Sequence, residues 1–266
     1  MLVVIKGAGD IATGVAARLH RARFQVVMTD IAVPTAVRRT VSFSQAVTDG
    51  VATVEGVEAR LAQSAEEAKS IVAGRQVAVL VDPKAACVQT LRPDAVVDAI
   101  LAKENLGTKI TDAPVVVAVG PGFTAGKDCH AVVETQRGHD LGRVILQGDA
   151  EPDTGIPGEI GGHSYLRVLR APAAGAFREG LPIGTRVKAG DVVGMVGDTP
   201  LTVELDGILR GILADGVQVV PGMKAGDVDP RAVPEHCNTI SDKARAVGGG
   251  ALEAILELYP GTVTLA

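Results

Sequence analysis

The feature that most constrains this chain lies in its first twelve residues. A short apolar run, Leu2 to Ile5, meets Gly7-Ala8-Gly9-Asp10-Ile11-Ala12, and Ile11, Val15 and Leu19 then recur at i, i+4, i+8. The order is buried strand, glycine turn, amphipathic helix. The spacing G-x-G-x-x-A fits a strand-to-helix turn that takes a phosphate. Gly7 permits the tight turn, Gly9 lets backbone N–H groups approach an anion, and Ala12 permits close helix–strand packing. The helix dipole favours an anion there. Asp30 ends the next apolar run about 20 residues on, where a carboxylate can accept hydrogen bonds from a ribose. Asp10 has two readings: it stabilises the helix dipole, and it sets negative charge where a pyrophosphate would rest.

Further runs at Gln25 to Thr29, Val77 to Val81, Ala95 to Val97 and Val115 to Val119 are short, apolar and bounded by Gly, Asp or Pro. They predict a parallel sheet covered on both faces, with residues 57 to 73, rich in Ala and Glu, as a second helix. Residues 1–120 are therefore expected to form a Rossmann-like α/β domain. Residues 121–165 are dense in Gly, Pro, Asp and His and predict a functional or connecting segment, with a short strand at Val144 to Leu146. In residues 166–230, Gly175, Gly184, Val187 and Gly190 reappear 32 residues later as Gly207, Gly216, Val219 and Gly222. That repeat predicts a pseudo-twofold β domain whose spacing resembles the barrel-sandwich of biotinyl and lipoyl carriers. The hairpin where carriers place a modified lysine reads Val196-Gly197-Asp198-Thr199-Pro200, without Lys, so a carrier function is not expected. Residues 231–266 end in a helix, about Ala251 to Leu258; Gly248-Gly249-Gly250 before it, flanked by Lys243 and Arg245, serves close helix packing or shapes a second anion nest.

Three groups of residues could carry chemistry. The first is the turn already described: Gly7, Gly9, Asp10 and Ala12, with Asp30. The second is the loop after Val119, where Gly120, Gly122 and Gly126 could shape an anion nest beyond the carboxyl end of a strand, or simply turn the chain. The third is Glu134-Thr135-Gln136-Arg137-Gly138-His139-Asp140. Arg137 can grip a phosphate or carboxylate with its planar fork. His139 can move a proton near neutral pH and Glu134 could orient either one, so both are catalytic candidates. Metal binding is not expected: Cys129-His130 and His236-Cys237 are adjacent pairs, and no C-x2-C spacing occurs.

Composition excludes some partners. The net charge of -5 repels a phosphate backbone, and four Phe, two Tyr and no Trp offer few stacking platforms, so nucleic acid is not expected. No apolar run reaches the roughly 20 residues that span a bilayer. Three scattered cysteines and an N-terminus unlike a signal peptide suit a reducing cytoplasm.

The segments VVIKGAGDIATGVAARLHRA, AVGPGFTAGKDCHAVVETQRGHDLGRVI and DVDPR with ISDKARAVGGGALEAIL together resemble the selenium-dependent molybdenum hydroxylase system proteins, the YqeB family, over nearly the whole chain. The Rossmann half is also similar to xanthine dehydrogenase accessory proteins. The resemblance implies an accessory protein for maturation or cofactor insertion in molybdenum hydroxylases, with such a hydroxylase as client and selenium in its pathway. Its small anionic ligand would be an adenine dinucleotide or a molybdopterin-type phosphate. Two other classes stay open: an NAD(P)-dependent oxidoreductase, and a client-docking module with an empty Rossmann site.

Overall fold

A computed structural model describes residues 1–261. The chain divides into two compact units. One comprises Met1–Ala32, Ser42–Thr154 and the chain from Ile240 on; the other comprises Val33–Val41 and Gly155–Thr239.

The first unit is built on a nine-stranded sheet. Its strands are β1 (Leu2–Lys6), β2 (Gln25–Asp30), β3 (Val51–Val54), β4 (Val57–Ala62), β5 (Val77–Val81), β6 (Ala95–Asp98), β7 (Val115–Val119), β9 (Ala131–Val133) and β10 (Val144–Ile145). A separate short pair joins β8 (Thr124–Ala125) to β11 (Gly148–Asp149). The nine run in the order β10-β9-β7-β6-β1-β2-β5-β4-β3. The helices are α1 (Asp10–Arg21), α2 (Gln45–Asp49), α3 (Ala65–Ala73), α4 (Cys87–Leu91) and α5 (Asp242–Leu258). Val4, Val27, Ala78, Val96 and Val116, all fully buried, form one core face with Ala68 and Val72 of α3. Small β-branched side chains suit strands covered on both faces.

The expected architecture, a parallel Rossmann sheet followed by a barrel-sandwich, is corrected. The chain is α/β, but the large sheet is mixed. Glu55 and Gly56, with φ of +47° and +79°, turn β3 back on β4 as an antiparallel hairpin. Residues 57 to 62, expected as helix, are strand because Val57 and Ala59 are buried between the more open Glu58 and Arg60. The other edge is antiparallel too, with Val144 paired to Val133.

The second unit contains β12 (Val168–Arg170), β13 (Gly175–Glu179), β14 (Arg186–Val187), β15 (Val192–Val196), β16 (Thr199–Thr202), β17 (Gly207–Ile212), β18 (Gln218–Val219) and β19 (Lys224–Asp229). They form two antiparallel four-stranded sheets, β12-β19-β17-β14 and β16-β15-β13-β18, interrupted by register shifts at Leu169/Arg170, Val192/Gly194 and Leu209/Gly211. Val37, from far upstream, completes this unit: its carbonyl accepts from Ile212 N–H at 2.8 Å. Phe177, Leu209, Ile212 and Leu213 anchor the core.

The last helix begins at Asp242, nine positions before the expected start, because Ser241 Oγ caps it by accepting from Ala244 N–H. Gly248-Gly249-Gly250 thus lies inside α5. A Cβ at Gly248 would stand 2.7 Å from Gly14 O of α1, and one at Gly250 would collide with Gly142 O. These glycines let α5 cross α1 at backbone distance, and Gly14 answers from the other side, where a Cβ would meet Ala244 O at 2.6 Å. Among the described residues, no helix is long and apolar enough to cross a membrane.

Candidate functional site

In an open α/β sheet, ligands bind beyond the carboxyl ends of the strands where the strand order reverses. Here the chain leaves β1 for β2 and β5 on one side, then returns to place β6 on the other. The reversal falls between β1 and β6. The glycine turn sits there. Gly7 has φ of +92°, and a Cβ on it would be 2.9 Å from Ala99 O, so the turn touches the segment that follows β6. Gly7 N–H donates to Thr29 O at 2.9 Å. Gly9 is the N-cap of α1, and open space stands where its Cβ would be. Asp10 opens α1 and accepts from Ile11 N–H at 3.0 Å; Ala12 is fully buried.

Asp30 is held by the chain itself. Its Oδ2 accepts from Ala8 N–H at 3.1 Å and its Oδ1 from Ile31 N–H at 2.7 Å. Burial pushes the Asp30 carboxyl up, against these two amides. The carboxylate expected to receive a ribose therefore fastens β2 to the glycine turn.

The same edge holds a buried ionic cluster that sequence reasoning missed. Lys6 ends β1 and is paired in register with Asp98, which ends β6. Neighbouring residues in parallel strands face the same side. Lys6 Nζ donates to Thr108 Oγ1 at 2.8 Å and approaches Asp112 Oδ2 at 3.1 Å; Thr108 Oγ1 donates to Asp98 Oδ2 at 2.5 Å. Lys6, Asp98 and Thr108 are all buried. Burial pushes the Asp98 carboxyl up, opposed by the Thr108 hydroxyl, the Ile100 amide and the Lys6 charge. Lys6 could have been found as a cation closing an otherwise apolar buried strand. Asp98 reads in sequence as a strand-end cap. Thr108 and Asp112 lie in a loop and carry no signal.

The second glycine loop leans on the loop that supplies Thr108. Gly120, with φ of +82°, packs against Thr135 Oγ1, and a Cβ on Gly122 would stand 2.7 Å from the Glu104 backbone. Gly126, with φ of +87°, turns toward open space. Glu134 is buried and accepts three backbone N–H groups, from Thr135, Gln136 and Glu151, at 2.7, 2.7 and 2.8 Å. Arg137 makes a bidentate pair with Asp242 at the start of α5, at 2.6 and 2.8 Å. His139 is exposed. The structure thus brings both glycine turns against the segment after β6, and it ties Glu134 and Arg137 to the chain's own groups.

Thiol chemistry has no support. All three cysteines are buried, and burial pushes the Cys87 and Cys129 thiols up to about 12. Among the described residues, no group of three or more His, Cys, Asp and Glu side chains could hold a metal.

No family model matches the chain. It is homologous to the "Uncharacterized protein YqeB" of Escherichia coli (strain K12), at 54% identity over 257 residues, which cover 97% of this chain and 48% of that protein. The chain thus spans about half the length of that relative. Among solved structures, a succinylglutamate desuccinylase/aspartoacylase from Rhodobacter sphaeroides is 17% identical, with 85% of this chain and 84% of that one covered at a TM-score of 0.27. An aspartoacylase family protein from Mesorhizobium loti is 12% identical, with 85% and 83% covered at a TM-score of 0.27. At these scores the likeness assigns neither fold nor reaction.

These findings correct the functional expectation. The homologue's name carries no activity. Molybdenum hydroxylase maturation, a link to selenium, an NAD(P)-dependent oxidoreductase and a docking module with an empty Rossmann site are all set aside. On the first turn, Asp30 accepts from Ala8 and Ile31 N–H, and the space beside Gly9 stands open.

Proposed function

We propose that this chain is an enzyme that moves a proton on a small anionic metabolite at the carboxyl edge of its parallel strands, with Asp98 as the acid–base group and Lys6 as the cation that holds the developing oxyanion. The observation that carries this reading is the register pairing of Lys6 with Asp98 at the strand-order reversal, bridged by Thr108 Oγ1. Burying an ammonium and a carboxyl group costs several kcal/mol per ion before pairing, so such a cluster is weak evidence for stability. Buried ionisable groups gathered at the carboxyl ends of strands are stronger evidence for chemistry.

The cover over this pair supports the same reading. Residues 99–114 contain no helix or strand. Loops longer than about 12–15 residues are uncommon in compact domains and often serve as active-site covers. This one exposes Ile100 and Leu106, at 38% and 60%, and holds Leu101 and Lys103 at φ of +60° and +70°. It also supplies Thr108 and Asp112, the partners of Lys6. A substrate carboxylate, or the oxygen of a developing enolate, can replace the Asp112 carboxylate at Lys6 Nζ with like charge for like. Lys6 then stabilises the oxyanion, and Asp98 takes or returns the proton.

The test is a thermal-shift panel of small carboxylates and 2-oxo acids, with native mass spectrometry of the purified protein to propose members. Proton transfer is read by NMR as deuterium entering the bound compound from D2O. A ligand should stabilise the wild type, lose its effect in Lys6→Met, and still bind but not exchange in Asp98→Asn. Equal binding and equal exchange in all three proteins would end the proposal.

A further inference from the structure

Beside the crossing of α1 and α5 lies a cavity of about 330 Å³. Its walls include Arg18, Arg21 and Arg245, and its apolar lining includes Gly14, Ile240 and Leu252. We propose that it is a binding site for a small oxyanion carrying two or more negative charges, a phosphate monoester or a polycarboxylate.

The charges around it do not balance. Three guanidinium groups face one carboxylate, Glu55. Arg21 Nη2 lies 3.1 Å from Glu55 Oε2 and Arg245 Nη2 lies 2.6 Å from Glu55 Oε1. Arg18 makes no ion pair among the described residues; its Nη2 donates to Arg245 O at 3.3 Å. Two positive charges are left over. All three arginines are exposed, so solvent screens their mutual repulsion and leaves the surplus charge open to an anion.

Helix placement separates what stability explains from what it does not. Arg18 and Arg21 stand in the last turn of α1, where the negative end of the helix dipole welcomes cations. Arg245 stands in the first turn of α5, four positions after its Ser241 cap, where a cation is disfavoured. Its guanidinium is held by Ile240 O, which accepts from Nε at 3.1 Å, and by Glu55, and it still adds a cation where the dipole disfavours one. An anion in the cavity would neutralise the surplus charge and meet the positive end of α5. Arg forks match oxyanion geometry two bonds at a time. The volume is at the low end for ligand pockets, the size of a small metabolite.

This site shares no residue with the Lys6 centre, so the two proposals stand or fall separately. The test is calorimetric titration with inorganic phosphate and with citrate, using acetate and chloride as singly charged controls. Arg18→Ala is the first variant, because it breaks no ion pair and should leave the thermal midpoint unchanged. Phosphate or citrate should bind the wild type at millimolar concentration or below, and acetate and chloride should not. Arg18→Ala should weaken binding about 10-fold to 100-fold, the worth of one charge-assisted contact. Arg18→Lys should recover part of the loss. Preference for phosphate assigns a phosphoryl ligand; preference for citrate assigns a polycarboxylate. No binding by either anion, binding matched by chloride, or an affinity that Arg18→Ala leaves unchanged would overturn the site.

Discussion

Arg178 and Arg210 hold the same place in the two halves of the 32-residue repeat, yet Arg178 is exposed and Arg210 is buried. The halves exchange strands symmetrically: Gly175 pairs with Val219 as Gly207 pairs with Val187, and Phe177 pairs with Val196 as Leu209 pairs with Val228. In the second half, Arg210 donates to Asp227 Oδ2 through Nε at 2.7 Å and to Asp229 Oδ2 through Nη1 at 3.3 Å. Both carboxylates are fully buried, and Arg167 and Arg231 complete the network. The first half has Met195 and Gly197 where the second has Asp227 and Asp229.

The symmetric pair therefore predicts asymmetric variants. Arg210→Met would leave two carboxylates short of a partner in the core and should cost about 3–5 kcal/mol. Arg178→Met removes an exposed side chain and should stay within about 0.5 kcal/mol. Urea denaturation of the two variants measures the difference, and equal costs would remove the ionic core as a stabilising feature.

The network also fixes a pH dependence. Burial pushes the Asp229 carboxyl up, but the hydrogen bonds and charges of Arg231 and Arg210 more than reverse this and hold it at about 2. A carboxyl depressed in the folded state stabilises above its unfolded value, about 3.9, and loses that contribution as pH falls toward the folded value. The gap is worth roughly 2–3 kcal/mol. Asp98 and Asp30 act oppositely, because burial raises both: their penalty at neutral pH is relieved as the pH falls and they take up protons. Denaturation of the wild type and Asp229→Asn between about pH 6 and pH 3 should show a loss on acidification that the variant lacks. Parallel curves would reject the assignment.

Three consecutive glycines in α5 give three different outcomes. A Cβ at Gly249 meets nothing within 4 Å, so Gly249→Ala should stabilise by about 0.5–1 kcal/mol through helix propensity. Gly248→Ala drives a methyl into Gly14 O and Gly250→Ala into Gly142 O, both backbone atoms, so both should destabilise. Thermal midpoints of the three variants decide. A stabilising Gly248→Ala would mean that α1 and α5 do not cross this closely.

These elements also show what a sequence can reveal. The apolar runs marked β1, β2, β5, β6 and β7 to within a residue, because a strand buried on both faces needs an unbroken apolar stretch. The 32-residue repeat marked the paired strands of the second unit, because equivalent pairs need equivalent glycines. Local signals failed where partners are distant. The Ala and Glu content of residues 57 to 73 suggested helix, but burial of alternate residues made the first six a strand. Gly248 to Gly250 read as preceding the last helix and serving close packing; the packing is there, against Gly14 and Gly142, but inside the helix. Asp30 stands at the spacing of a ribose acceptor, and its oxygens also fasten Ala8 and Ile31, contacts that spacing does not show. Lys6 and Asp98 are far apart in the chain and meet only through the strand order.

Thr108 is where the proposed centre can be probed most directly. Its hydroxyl accepts from Lys6 Nζ and donates to Asp98 Oδ2, while Asn105 Oδ1 holds its own N–H at 2.7 Å. Thr108→Val keeps the shape and removes both side-chain bonds, leaving a buried ammonium and a buried carboxyl without their bridge. Leaving buried polar groups unpaired costs about 1–3 kcal/mol each, more when they are charged. Thr108 and Asp112 are the loop's two side-chain anchors on Lys6, so losing one should also loosen the other. Hydrogen exchange should therefore speed up at amides across the loop, Thr108 N–H included, while amides of β1 and β6 keep their protection. Thr108→Ser retains the hydroxyl and should restore both stability and slow exchange. If Thr108→Val destabilises without any faster exchange in the loop, the loop is a fixed part of the core, and Lys6 and Asp98 are not covered by a segment that opens.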